Sequence, residues 1–90
     1  MAEVTDNTAA GRYEMAVEGR IAFVAYQRSD GILSLDHAEV PRELEGRGLG
    51  SALVAATLDA IRAQGLKVVP RCPFIAAFIR RQPEYQDMLA

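Results

Sequence analysis

The chain has one cysteine and one histidine in ninety residues. A single cysteine, Cys72, excludes an internal disulfide. One cysteine and one histidine cannot make a zinc site of the usual composition, so no metal is expected. No apolar run approaches the roughly 18–20 residues of a membrane span. The opening "MAEVTDNTAAGR" lacks the charged-then-apolar layout of a signal peptide. Positive charge is not in excess: ten Lys and Arg against twelve Asp and Glu give a net charge of -2. The basic residues are scattered, with Arg80-Arg81 the tightest group, which argues against nucleic acid as a partner. A cytoplasmic, reduced protein with no membrane partner is expected.

Half of the residues are apolar and about a quarter are charged, an ordinary globular composition. A chain this short has room for one compact core. Residues 1–10 are small and polar and are expected to be disordered; residues 11–90 are expected to form a single domain.

"RYEMAV" alternates, with Tyr13, Met15 and Val17 on one face, and predicts a strand. Glu18-Gly19 reads as a hairpin turn. "RIAFVAYQR" predicts a second strand, apolar on both faces and therefore central. After the turn "SDG", "ILSLDHAEV" predicts a third strand that ends at Pro41. "PRELEGRGLG" is a loop. From Leu49 to Gln64 the pattern becomes helical: Leu49, Leu53, Ala56 and Ala60 make a stripe that Val54, Thr57, Leu58 and Ile61 widen. Gly65 is a fitting stop. "LKVVP" predicts a fourth strand, parallel to the third through a right-handed crossover. "CPFIAAFIRR" predicts a short helix with Pro73 at its first position. The expected fold class is α/β. It is a mixed sheet made of an antiparallel three-strand meander, a helix crossover to a parallel fourth strand, and a second short helix.

Three glycines, Gly46, Gly48 and Gly50, stand at the mouth of the first helix. A dinucleotide fingerprint fails, because Ser51 stands where the third spacing needs glycine and no acid ends the next strand. A P-loop fails because no lysine follows Gly50. Two readings stay open: a connector with no ligand, or a loop that cradles a pyrophosphate with backbone N–H groups, to which Arg47 adds a cation.

"HAEVPRELEGRGLGSALV" resembles the V-P-x-x-x-x-G-x-G-x-G/A segment of the GCN5-related N-acetyltransferase superfamily. "GLKVVPRCPFIAAFIRRQPEYQDML" is similar to a small single-domain subfamily with a V-x-P-x-C-P-F-x-x-x-[FY]-[IL] signature. The resemblance runs from about Tyr13 to Leu89. It implies a GNAT-like fold and coenzyme A or acetyl-CoA as co-substrate. It implies that Gly46, Arg47, Gly48, Leu49, Gly50 and Ser51 hold the pyrophosphate. It implies too that the third strand, near Val40, pairs its backbone with the pantetheine arm, where that strand and the next splay apart. One position departs from the pattern. Glu45 stands where the superfamily often has Gln or Arg, and Arg42 or Arg47 is close enough in sequence to pair with it.

Acetyl transfer needs a neutral amine, a donor to the thioester carbonyl and a proton for the leaving thiolate, unless a cysteine takes the acyl group first. Two catalytic candidates follow. Cys72 precedes a helix start and neighbours Arg71, which favours the thiolate; the alternative is a buried packing residue. The resemblance puts it near the acyl end of the cofactor. His37 is a general base or a hydrogen-bonded structural histidine; alternation groups it with Leu33 and Leu35 on an apolar face, favouring the second. Tyr85 and Tyr26 are weighed as thiolate acids and read as an anchor and a strand residue. Phe74 and Phe78, four apart on one helix face, are read as core, and Arg80 and Arg81 as solvated.

The function expected is an acetyl-CoA-binding N-acetyltransferase acting on a small-molecule or protein amine. The alternative is a non-catalytic module that binds coenzyme A or acyl-CoA, or serves in interaction. The sequence does not identify the acceptor or the oligomeric state.

Overall fold

The computed structural model describes residues 3–90. Met1 and Ala2, part of the stretch expected to be disordered, lie outside the described residues. The remainder of that stretch corrects the expectation. Thr5–Asn7 forms strand β1, antiparallel to β2 (Arg12–Val17), with Thr5 opposite Glu14 and Asn7 opposite Arg12. Its anchors are polar, so a search for apolar periodicity passes over it. The Tyr26 hydroxyl donates to Asp6 at 2.5 Å, and the Asn7 amide donates to Glu14 at 3.1 Å.

β2 turns through Glu18-Gly19 into β3 (Arg20–Ser29), and β3 turns through Asp30-Gly31 into β4 (Ile32–Glu39). Both turn pairs have positive φ, 52° and 77° in the first, 52° and 78° in the second. That is the hand that matches strand twist in two-residue hairpins. A short 3-10 turn (Arg42–Leu44) leads to helix α1 (Leu49–Ala63), which crosses to β5 (Lys67–Pro70). β5 lies parallel to β4 and completes a five-strand mixed sheet in the order β1-β2-β3-β4-β5. Helix α2 (Pro73–Arg81) starts at Pro73 as expected, and a 3-10 segment (Pro83–Met88) brings the chain back along β5, where the Ala90 N–H donates to the Val68 carbonyl at 3.0 Å.

One face of the sheet supplies the core: Tyr13, Met15, Ala22, Val24, Leu33, Leu35 and Val68 are buried under both helices. α1 contributes Leu53, Val54, Thr57, Leu58 and Ile61, and α2 contributes Ile75, Phe78 and Ile79. Each aliphatic side chain fully buried here contributes roughly 1.5–3 kcal/mol. The other face carries Arg12, Glu14, Phe23, Gln27 and Ser34, and among the described residues no helix packs on it. Among the described residues, no helix is long and apolar enough to cross a membrane.

β4 is irregular at one point. Tyr26 faces Leu35 and Ala25 faces His37, so Asp36 is an extra residue in the ladder, a β-bulge. The bulge reverses the alternation beyond it. Leu33 and Leu35 are buried before it, whereas Ala38 and Val40 pack toward the core after it. This corrects the expectation for His37. It does not share a face with Leu33 and Leu35; it lies on the open side with its side chain 57% exposed.

Candidate functional site

The β4–β5 ladder ends at Leu35 opposite Pro70. The N–H groups of Arg71 and Cys72 both donate to the Leu35 carbonyl, at 3.0 and 3.1 Å, and turn the chain into α2. β4 continues through Glu39 with no β5 residue beside it, so the two strands part after the bulge.

Past β4, buried Leu44 pins the short 3-10 turn, and the chain then runs through Glu45 in extended conformation. Gly46 (φ 85°) and Gly48 (φ 74°) both sit in the left-handed region, which side chains with a Cβ rarely adopt. Gly48 caps α1 without a side-chain hydrogen bond, and the first turn holds no acid. The Ala52 N–H donates to the Gly48 carbonyl. The preceding amides of Leu49, Gly50 and Ser51 have no acceptor within the helix. Together with the helix dipole they make a positive end suited to an anion.

These amides border a cavity of about 310 Å³. Val40, Gly46, Gly48, Leu49, Gly50 and Ser51 line it, six of the seven residues expected to hold a cofactor. The seventh, Arg47, does not. Its guanidinium pairs with Glu18 in the β2–β3 turn at 2.5 Å. The expected neutralisation of Glu45 is also absent: Glu45 lines the cavity and has no ion pair among the described residues.

Ala38, Leu44 and Phe74 complete the lining and were not expected there. Phe74 corrects the reading of a Phe74–Phe78 core pair. Phe78 is buried, but Phe74 is 43% exposed, with its ring against Gly50. Its place in the first turn of α2 lifts it clear of the sheet. The available signal was Gly50 itself, a glycine inside a helix where nothing but close approach requires one.

The two catalytic candidates are not brought together. Cys72 is 8% exposed, belongs to the core cluster and does not line the cavity. His37 holds Glu39 through Nε2 at 3.1 Å, with its ring edge-on to Phe23. The tyrosine hydroxyls are committed elsewhere. Tyr85 donates to Asp59 at 2.9 Å and Tyr26 to Asp6. Burial, then the hydrogen bond to a carboxylate, pushes each phenol up to about 12. Neither is poised to give up a proton near neutrality. Arg80 and Arg81 are exposed, without an ion pair among the described residues. No group of three or more His, Cys, Asp or Glu among the described residues could hold a metal ion.

Residues 12–88 match the family model described as GCN5-related N-acetyl-transferase. Protein NATD1 of Bos taurus is 35% identical over 52 residues, 58% of this chain and 46% of the relative; the human protein gives the same figures. The match thus spans less than half the length of those relatives. The solution structure of a GCN5-like protein from Staphylococcus aureus superposes with a TM-score of 0.72 at 24% identity, over 98% of this chain and 87% of that one. That likeness is one of fold.

Proposed function

The chain belongs to the GCN5-related N-acetyltransferase family, and we propose that it binds acetyl-CoA at the α1 mouth and transfers the acetyl group to an amine. The observation that carries the reading is the cavity in which six of seven expected residues meet around unpaired backbone amides.

The residues present fit such a ligand. Two left-handed glycines turn the chain so that its N–H groups are laid open, and the first turn of α1 adds no repelling acid. Ala38, on the stretch of β4 beyond β5, and Val40, just past its end, offer backbone partners to an extended arm. Phe74 supplies an apolar wall. When bound, acetyl-CoA supplies an acyl group activated as a thioester. The acceptor must present a neutral nitrogen, whose bond to the acyl carbon forms as the carbon–sulfur bond breaks; its proton goes to solvent or to the departing thiolate.

Direct transfer is the route supported. Cys72 is buried in the core cluster and acts as packing at the start of α2 rather than as an acyl carrier. We place the protein in the cytoplasm, acting on a small-molecule or protein amine and not on nucleic acid or a membrane.

Calorimetry with acetyl-CoA tests the ligand, and release of free thiol with a panel of amines tests the reaction, each for wild type and Cys72→Ala. Saturable binding with thiol release in both proteins is the expected result. Absence of binding at high micromolar acetyl-CoA would refute the reading, and binding without thiol release would leave a non-catalytic module. Loss of release in Cys72→Ala with binding intact would restore the acyl-enzyme route.

A further inference from the structure

The open face of the sheet carries a second concavity, of about 560 Å³, running along β4 and β5 to the point where they part. Strand register sets its lining. Gln27, Ser34 and Val69 form one row across β3, β4 and β5, and Ser29 and Ile32 form the row on the hairpin side. Asp36 and Arg71 close it at the other end, one residue past the last β4–β5 pair.

Those two charges are held close without neutralising each other. Arg71 Nε donates to the Ser34 hydroxyl at 3.0 Å, and that hydroxyl donates to the Asp36 carboxylate. A single hydroxyl therefore bridges guanidinium and carboxylate. Among the described residues Arg71 makes no ion pair and no other side-chain hydrogen bond, so its terminal nitrogens remain available. The bulge explains the carboxylate's position: as the extra residue, Asp36 turns to the open face together with its neighbour His37. His37 and Glu39, the other ionisable groups nearby on β4, are tied to each other.

We infer that this concavity is a subsite for a zwitterion, an aliphatic α-amino acid. Asp36 takes its ammonium, the terminal nitrogens of Arg71 take its carboxylate in bidentate fashion, and Ile32 and Val69 border its side chain. A neutral or purely cationic amine leaves the guanidinium unanswered, and a simple acid leaves Asp36 unanswered. As the acceptor site, this assignment rests on the acetyltransferase reading above, with the ammonium losing one proton to solvent before its nitrogen attacks; as a binding site it stands without that reading.

The test is an amide chemical-shift titration with three probes of equal skeleton: L-leucine, isopentylamine, which lacks the carboxylate, and 4-methylpentanoate, which lacks the amine. L-Leucine is expected to shift Ser34, Asp36, Val69 and Arg71 and to bind at least about tenfold more tightly than either truncated probe. Arg71→Gln should abolish the preference over isopentylamine and Asp36→Asn the preference over 4-methylpentanoate, and Arg71→Lys should keep part of the first. The same probes then serve in the thiol-release assay, where wild type should favour L-leucine and Arg71→Gln should not. Equal shifts from all three probes, shifts elsewhere, no shifts at all, or a preference unchanged in both variants would overturn the proposal. Failure of acetyl-CoA binding with the leucine shifts intact would overturn only the acetyltransferase reading.

Discussion

A Cβ added to Gly50 would stand 3.1 Å from the Cζ of Phe74. The first turns of α1 and α2 therefore meet closely across the cavity, and a side chain at position 50 would press on the Phe74 ring. Gly50→Ala separates packing from ligand binding. Alanine is favoured over glycine inside a helix by roughly 1 kcal/mol, and the half-exposed ring can move aside. The melting temperature should hold or rise slightly, while coenzyme A affinity should fall about tenfold, or about 1.4 kcal/mol. Thermal unfolding and calorimetry on the same sample check both directions.

Gly48 answers to a different constraint. Nothing crowds a Cβ there, but its φ of 74° lies in the left-handed region. Gly48→Ala should cost roughly 1–2 kcal/mol of backbone strain. In a domain of this size that lowers the melting temperature by about 4–8 °C per kcal/mol. Gly48→Asn should lose less, since asparagine tolerates that conformation better. Equal melting temperatures for all three proteins would contradict the backbone account.

Glu45 lines the cavity at the mouth of α1 without a compensating cation among the described residues. A carboxylate there works against a pyrophosphate. Glu45→Gln should raise coenzyme A affinity by about two- to fivefold, with the gain shrinking as salt screens the charge. Calorimetry at low and high ionic strength reads both effects. A weaker Glu45→Gln complex would mean that the carboxylate helps to hold the loop.

Tyr26 and Tyr85 give an alkaline signature. Each phenol is raised to about 12 in the folded protein, against an ordinary value of 10. The folded state therefore retains protons that the unfolded state has lost. The stabilisation is fully present below about pH 10 and is lost as pH rises through about 12. Denaturant titrations from pH 8 to 11.5 should show wild type losing stability more steeply than Tyr26→Phe/Tyr85→Phe over the upper part of that range. Parallel curves would contradict the assignment of these hydroxyls to Asp6 and Asp59.

Much of the fold was legible in the sequence because apolar alternation and turn chemistry agree along the chain. β2, β3, β4, both helices and the parallel β5 follow from Tyr13/Met15, Glu18-Gly19, Asp30-Gly31, the α1 stripe and Pro73. The glycine loop was legible as well, because left-handed positions demand a residue type. What was missed has no periodic trace. β1 is held by Asp6 and Asn7 through hydrogen bonds to distant residues. The bulge at Asp36 leaves no mark in composition, yet it turns His37 from the core side to the open side. Arg47 and Phe74 both leave their expected places for the same kind of reason. Long-range partners, Glu18 for the one and Gly50 for the other, decide where those side chains lie.

The most direct test of the central claim is an amide chemical-shift titration of the protein with coenzyme A. The account predicts saturable shifts concentrated at Gly46 to Ser51, with smaller ones at Ala38 and Val40 and none at the β2–β3 turn. Saturable shifts that leave Gly48, Leu49, Gly50 and Ser51 untouched, or no shifts at millimolar coenzyme A, would contradict it.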